Sequence, residues 1–270
     1  MLSPFAVSTV TYHTESLDAA LDGIVAAGFR HVELGAIPGM GPHVSPGLSE
    51  SMLAALDAQI ARRDLQVVSV SGHSDLTTAA GVEYCRRIIE FASARGVPIV
   101  NTAIGGHAGI DEDEESFMTA IGPLCDLAAA HSVILALEVH GEIMASGEKS
   151  ARLFERIGQP ALRLNYDTAN CVYYGGVEPY DDLEACVGLV GHVHLKDTAG
   201  GRGVWDFPAI GDGNIDFTRV LRILDRHGYE GPLSVEIEFT PDGAPSREGI
   251  DQAVARSYDT LAAVRDELDA

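Results

Sequence analysis

The residues of this sequence best suited to chemistry are acids and histidines near the ends of four short apolar segments in its second half. They are Glu138, Asp167, His192, His194, Glu236 and Glu238. Three carboxylates with one imidazole would suit a hard or borderline cation, Mn²⁺ first, with Co²⁺, Mg²⁺ or Zn²⁺ as alternatives. If three carboxylates met without a cation they would repel one another strongly, and this repulsion is itself a reason to expect an ion.

The segments that must position these residues alternate with amphipathic ones along the whole sequence. Eight runs rich in Val, Ile and Leu are predicted as strands: Phe5–Thr11, His31–Leu34, Gln66–Ser71, Pro98–Thr102, Ile134–Val139, Leu162–Tyr166, Leu189–Leu195 and Leu233–Ile237. Apolar residues at helical spacing follow each of them. This order predicts an α/β protein with a single (β/α)₈ barrel over residues 1–270. An open doubly wound sheet would favour a glycine-rich loop after the first strand, where the sequence has VTYHTESLD instead.

Active sites of such barrels lie at the carboxyl ends of the strands, where buried charges are costly unless they are paired or bind metal. Side chains two residues apart share a strand face, so Glu138 groups with His140, and Glu236 groups with Glu238. His192, His194 and Lys196 share a face in the same way. Further polar residues near strand ends are Glu33, at the end of the second strand, and His73, after the third. Structural roles stay open for several of them: packing for His192, an ion pair for Glu33, a helix start for His73 and an outward direction for Glu238.

Composition limits the classes of partner. The 270 residues include 40 acidic and 18 basic ones, for a net charge of −22, and only two lysines. Such a charge disfavours nucleic acid and anionic membranes and hints at a neutral substrate, although acidity can also serve solubility alone. The sequence shows neither a signal peptide nor an apolar run of about 18 residues, and its four cysteines are scattered. We therefore expect a cytoplasmic protein with free thiols.

Several motifs resemble the xylose isomerase-like barrel superfamily, which includes ketose 3-epimerases, inosose dehydratases and metal-dependent apurinic endonucleases. They are ALEVHGE with Glu138, LNYDTAN with Asp167, GHVHLKD with His194, IGDGNIDF from Ile210 to Phe217, and YEGPLSVEIE with Glu236. The resemblance spans nearly the whole chain. It implies one divalent metal, Mn²⁺ favoured, with Glu138, Asp167, His194 and Glu236 as ligands. His194 is preferred to His192 because the histidine directly before the leucine of HLKD is the ligand in this family.

The resemblance also implies a reaction. Glu138 and Glu236 match the two glutamates that bind the metal and shuttle the proton in ketose 3-epimerases. We therefore predict an isomerase or epimerase that acts on a small neutral ketose, keto-sugar or cyclitol through a metal-stabilised enediolate. Relatives often form dimers or tetramers, so a homo-oligomer is expected.

The candidates for substrate binding are His140, Asn170, Lys196, His73, Glu33, Trp205 and Arg202. Asn170 stands where epimerases often have a histidine, and Gly200 stands near the place of a substrate-binding arginine, with Arg202 beyond it. Lys196 could polarise a carbonyl or hold a carboxylate, or could form a structural ion pair with Glu236 or Glu238. Trp205 could form an apolar wall or lid over a sugar, or could be a loop aromatic packed for stability.

Alternatives to epimerisation remain at this point. The same site with a leaving β-hydroxyl would be a dehydratase of inosose or dehydroshikimate type. An apurinic endonuclease is disfavoured because Asn101-Thr102 and Trp205-Asp206-Phe207 stand where its additional metal ligands would be. A non-catalytic partner subunit of a sugar-processing complex is a further possibility, which the full set of ligands disfavours.

Overall fold

The computed structural model describes residues 2–105 and 113–269. The strands are β1 Phe5–Ser8, β2 His31–Gly35, β3 Gln66–Ser71, β4 Ile99–Thr102, β5 Ile134–Glu138, β6 Arg163–Asp167, β7 Val190–Leu195 and β8 Leu233–Val235. Each pairs in parallel with the next, and β8 pairs with β1, so the sheet closes into a barrel. The predicted (β/α)₈ fold class is therefore confirmed.

Helices follow the strands in regular order. They are α1 Leu17–Ala26, α2 Glu50–Ala61, α3 Ala79–Ala94, α4 Glu114–Ala130, α5 Gly147–Ile157, α6 Pro179–Cys186, α7 Phe217–Arg226 and α8 Arg247–Asp269. Several begin at a residue whose side chain accepts a hydrogen bond from the first turn, as Ser16 does for α1 and Ser146 for α5. No helix in residues 2–105 and 113–269 is long and apolar enough to cross a membrane.

The first strand is shorter than the sequence predicts. It ends at Ser8, and Thr9–Tyr12 form a 3₁₀ turn instead of continuing the strand. The Ser8 hydroxyl accepts a hydrogen bond from the amide of Val10 at 3.4 Å, while the buried Tyr12 donates its hydroxyl to Asp251 of α8 at 2.9 Å. Tyr12 therefore ties the start of the chain to the last helix and does not point to the barrel mouth.

Alternation along the strands separates an apolar layer from a polar barrel interior. On β6 and β7, Leu164 and Val193 belong to the hydrophobic core cluster. Asn165 and His192 point into the barrel, where their side chains are 2.9 Å apart in a hydrogen bond. The interior is thus filled by hydrogen-bonded polar side chains, and this polar floor supports the residues at the barrel mouth.

Candidate metal centre and active site

Four acidic and imidazole side chains meet at the carboxyl end of the barrel. Glu138, Asp167, His194 and Glu236 each offer one ligand atom, and these atoms all lie within 4.8 Å of one another. Glu138 and Asp167 end β5 and β6, His194 lies near the end of β7, and Glu236 directly follows β8. The strand register places Asp167 beside His194. All four are buried, so their proximity is fixed by the barrel.

His194 presents one ring nitrogen to the carboxylates. Its Nδ1 lies 3.4 Å from Glu138 Oε2, 3.7 Å from Glu236 Oε2 and 3.9 Å from Asp167 Oδ2. Its Nε2 lies 2.9 Å from an oxygen of Glu33, on the side away from the other acids. Nδ1 is therefore the atom of His194 that can join a metal centre with Glu138, Asp167 and Glu236.

Asp167 offers one oxygen that the protein leaves unbonded. Its Oδ1 accepts hydrogen bonds from the amides of Ala169 and Asn170, both at 2.8 Å. Its Oδ2 is buried and has no hydrogen-bond partner among the described residues. Because buried polar atoms are rarely left unpaired, this oxygen fits a site that a cation completes.

Electrostatics within the cluster also fit a cation. Burial raises the pKa of Asp167 to about 7, and the neighbouring charges of Glu138 and Glu236 add to the rise. Burial also acts to raise the pKa of Glu138, but His73 and His194 hold it well below its ordinary value. A divalent cation among these oxygens would relieve the repulsion. Three carboxylates and one imidazole are a donor set that such ions accept.

A cavity lies against this cluster at the barrel mouth. Its lining residues are Ile37, Met40, His73, Glu138, His140, Asn170, Tyr174, Lys196, Trp205, Glu236 and Glu238. Two of the four cluster residues, Glu138 and Glu236, thus face the cavity directly. A molecule bound there would contact both glutamates.

Glu138 is held by two polar neighbours on the cavity wall. His73 Nε2 lies 2.8 Å from Glu138 Oε2, and Asn170 donates from its amide to Glu138 Oε1 at 2.8 Å. His140 lies beside them, with its Nε2 2.9 Å from the hydroxyl of Tyr174. The structure therefore places two of the predicted substrate-binding residues, His73 and Asn170, on the same carboxylate, and His140 beside His73.

Lys196 lines the same cavity, within a group of acids. Its Nζ is paired with Glu238, lies 3.1 Å from Glu236 Oε2 and lies 3.7 Å from Asp167 Oδ2. It also lies 4.5 Å from the centre of the Phe207 ring. The ion pairs that the sequence left open for Lys196 are present, and the same side chain still lines the cavity.

Trp205 forms an apolar part of the cavity wall. Its ring packs edge-on against Tyr173 and Phe207, with centroids 5.8 and 5.1 Å apart. The loop between β7 and α7 carries it. Asp197, at the start of this loop, accepts hydrogen bonds from the amides of four residues: Thr198, Gly211, Gly213 and Ile215.

Two predicted substrate-binding residues lie elsewhere. Glu33 is fully buried below the cluster, where its carboxylate faces His194, and it does not line the cavity. The side chain of Arg202 is 64% exposed and lies 3.7 Å from Glu142. Neither residue is therefore placed to contact a molecule in the cavity: Glu33 lies under the candidate metal cluster, and Arg202 forms an ion pair at the surface.

His192 lies in the barrel interior, as the packing alternative expects, with Nε2 3.0 Å from the hydroxyl of Ser69. Sequence reasoning missed Tyr174 and did not assign Glu238 to the site. Glu238 could have been found, because it shares a strand face with Glu236. Tyr174 belongs to a π-helical turn, Cys171–Gly175, that no periodicity in the sequence indicates.

Comparison with known proteins agrees with the barrel fold. A family model described as the xylose isomerase-like TIM barrel matches residues 21–259. The L-ribulose-5-phosphate 3-epimerase UlaE of Salmonella typhi is 27% identical over 172 residues, which are 62% of this chain and 60% of that protein. The matched region thus spans less than two thirds of this curated relative.

Solved structures share the fold at lower identity. A xylose isomerase domain protein from Planctomyces limnophilus has a TM-score of 0.78 at 23% identity and covers 98% of each chain. A D-allulose 3-epimerase from Methylomonas sp. has a TM-score of 0.73 at 18% identity, covering 97% of this chain and 98% of that one. With a family model that matches most of its length and a closed eight-stranded barrel, the chain belongs to the xylose isomerase-like TIM-barrel family.

Proposed function

We propose that this protein is a divalent-metal-dependent epimerase of a small, neutral ketose or keto-sugar, with Glu138 and Glu236 as its acid/base pair. One observation carries the proposal: these two glutamates belong to the candidate metal cluster and also line the cavity beside it. A carboxylate in both places can hold a cation and exchange a proton with a bound molecule. The similarity to an L-ribulose-5-phosphate 3-epimerase supports the same class of reaction.

Glu138, Asp167, His194 and Glu236 would hold the ion, with Mn²⁺ favoured over Co²⁺, Mg²⁺ or Zn²⁺. When bound, a divalent cation would supply Lewis-acid polarisation of a carbonyl oxygen and so acidify the neighbouring C–H bond. The protein itself must then move the proton.

Glu138 ends β5 and Glu236 directly follows β8. Two strands, β6 and β7, lie between these strands in the barrel. Carboxylates that approach a carbon from different sides suit inversion, because one removes the α-proton and the other returns a proton to the opposite face. His73 Nε2 lies 2.8 Å from one oxygen of Glu138, and Asn170 donates a hydrogen bond to the other, so the direction of this carboxylate is fixed. We further propose His73, His140, Asn170, Lys196 and Trp205 as contacts to the hydroxyl groups and carbon face of the sugar.

The charges of the cavity favour an unphosphorylated substrate. Glu138, Glu236 and Glu238 line it, and the ammonium group of Lys196 is already paired with Glu238 and Glu236. A phosphate would approach these carboxylates without a guanidinium group to receive it, because the described residues that line this cavity include no arginine and Arg202 lies outside it. We therefore do not expect the phosphosugar named for the curated relative to be the substrate of this protein.

Entry of a sugar requires the cavity to widen. Its free volume is about 20 Å³, which is room for about one water molecule. Ile37 and Met40 come from the loop after β2, and Trp205 comes from the loop after β7. We propose that these two loops separate to admit substrate and then close over it.

The test is a screen in D₂O with protein stripped by EDTA and reloaded with Mn²⁺. The substrates are unphosphorylated ketoses, keto-inositols and, for comparison, L-ribulose-5-phosphate. We expect one unphosphorylated sugar to give its epimer with deuterium at the inverted carbon, and Glu138→Gln to abolish the exchange while Arg202→Ala retains it.

Other results of the same screen would replace the proposal. An enone product with strong ultraviolet absorbance would identify a dehydratase. Turnover of the phosphosugar alone would overturn the argument from cavity charge. Absence of exchange with every sugar, in protein that binds Mn²⁺, would remove the epimerase assignment.

A further inference from the structure

Glu33, the buried acid of β2, has no part in the proton chemistry above. Among the described residues, it is the only one whose carboxylate contacts Nε2, the second ring nitrogen of His194. We propose that Glu33 is a positioning residue: it accepts the Nε2–H of His194 and thereby leaves Nδ1 unprotonated and aimed at the metal. The inference rests on the metal site of the proposed function and assigns Glu33 a role other than substrate contact.

The two oxygens of Glu33 have different surroundings. Oε1 lies 2.9 Å from His194 Nε2. Oε2 accepts hydrogen bonds from the hydroxyl of Ser69, at 2.7 Å, and from the side-chain amide of Asn101. All of these side chains are fully buried. The donors on Oε2 fix the rotation of the carboxylate, so Oε1 has a fixed direction toward His194.

The orientation of His194 follows from this arrangement. A neutral imidazole carries one N–H, and the other nitrogen holds the lone pair that can bind a metal. With Nε2–H donated to Glu33, the lone pair of Nδ1 faces Glu138, Asp167 and Glu236. Carboxylates that accept the distal N–H of a metal-binding histidine set its tautomer and raise its basicity.

Glutamine at position 33 should reverse the tautomer with almost no change in size. Ser69 and Asn101 both donate to Oε2, so the glutamine carbonyl must take that place. Its NH₂ group would then point at His194 Nε2. That nitrogen would have to accept, which places the proton on Nδ1, in the direction of the cation.

The experiment measures Mn²⁺ affinity in metal-free protein by electron paramagnetic resonance of unbound Mn²⁺. We expect Glu33→Gln to weaken binding on the order of 100-fold, the upper end for loss of such a partner. Ser71→Ala is the matched control: Ser71 is a buried serine of β3, the strand of Ser69, whose hydroxyl has no hydrogen-bond partner among the described residues, so the Kd of this variant for Mn²⁺ should stay near that of the wild type. Circular dichroism and thermal unfolding monitor the fold of each variant.

A second measurement does not depend on whether the variant folds. In wild-type protein loaded with Zn²⁺, ¹⁵N-resolved NMR of His194 should show a slowly exchanging proton on Nε2 and metal coordination through Nδ1. Coordination through Nε2 would overturn the inference. So would a folded Glu33→Gln protein that binds Mn²⁺ as tightly as the wild type.

These outcomes are separable from those of the proposed function. Epimerase activity with an unchanged Kd in Glu33→Gln would remove the role of Glu33 and keep the function. Mn²⁺ binding that depends on Glu33, in a protein that epimerises no sugar, would keep the role and remove the function. A wild-type protein that binds neither Mn²⁺ nor Zn²⁺ would overturn both.

Discussion

Replacement of Lys196 by methionine tests whether the acidic site depends on one buried ammonium group. Lys196 is almost fully buried and pairs with Glu238 and Glu236, with Asp167 slightly farther away. Methionine keeps much of the volume and the contact with Phe207 but removes the charge. The neighbouring acids then lose their compensating partner without a large cavity being formed.

The expected cost follows from this burial. Removal of one partner from a buried ion pair costs about 3–5 kcal/mol of unfolding free energy, because the remaining charge is left uncompensated. The loss should grow with pH. Burial raises the pKa of Glu238 above its ordinary 4.5, while Lys196 acts to lower it, so the variant raises it further. An acid with a raised folded pKa favours the folded state at low pH, and that contribution is lost as the pH rises through the raised value.

The assay is urea unfolding of metal-free protein at pH 5 and pH 8, with Glu238→Gln alone and combined with Lys196→Met to complete a double-mutant cycle. The double variant should recover part of the loss at pH 8, with a coupling energy of about 0.5–3 kcal/mol. A loss under about 1 kcal/mol at pH 8, typical of exposed pairs, would refute the reasoning. So would a loss that is the same at both pH values.

Three further predictions concern the site. Glu138→Gln and Glu236→Gln should each reduce kcat by about 10²–10⁴-fold with little change in circular dichroism, and near-normal turnover in either would contradict the two-glutamate mechanism. Mn²⁺ at 100 times its Kd should stabilise the metal-free protein by about 2.7 kcal/mol, seen by calorimetry as a rise in Tm of about 5–10 °C. At one fixed Mn²⁺ concentration, the rise in Tm should be larger at pH 8 than at pH 6, because Asp167, with its pKa raised to about 7, must lose a proton to bind the ion; a larger rise at pH 6 would exclude this linkage. Trp205→Ala should raise KM about 2- to 10-fold through lost aromatic contact, whereas Arg202→Ala should leave it unchanged, and equal effects in steady-state assays would argue against the assigned wall.

Most of the fold could be predicted from the sequence because strand and helix patterns alternate without interruption. Strands β2 to β7 begin and end within one residue of their predicted bounds, and β8 ends two residues early. The first strand was predicted too long because Thr9–Tyr12 have the composition of a strand, and only the Ser8 cap and the contact of Tyr12 with α8 turn them aside. A distant contact of this kind leaves no local signal.

The candidate metal ligands could be predicted from the sequence for a different reason. Alternation on adjacent strands puts side chains on a shared face, and this rule brought Glu138, Asp167, His194 and Glu236 together. Depth along the barrel axis is not encoded in that way. Glu33 lies below the cluster although its strand also ends at the barrel mouth. Sequence spacing could therefore not distinguish a residue that faces the cavity from one that, like Glu33, faces the candidate metal ligand His194.

The hydrogen bonds of Asp197 to four loop amides bear on how this protein could be redesigned. Its carboxylate bonds to amides at both the beginning and the end of the segment between β7 and α7. The stretch between these anchor points, which carries Trp205, is therefore decoupled from the strand that holds His194. Loops of different length and sequence could therefore be grafted between the anchor points to change the proposed substrate cavity while the candidate metal ligands keep their places.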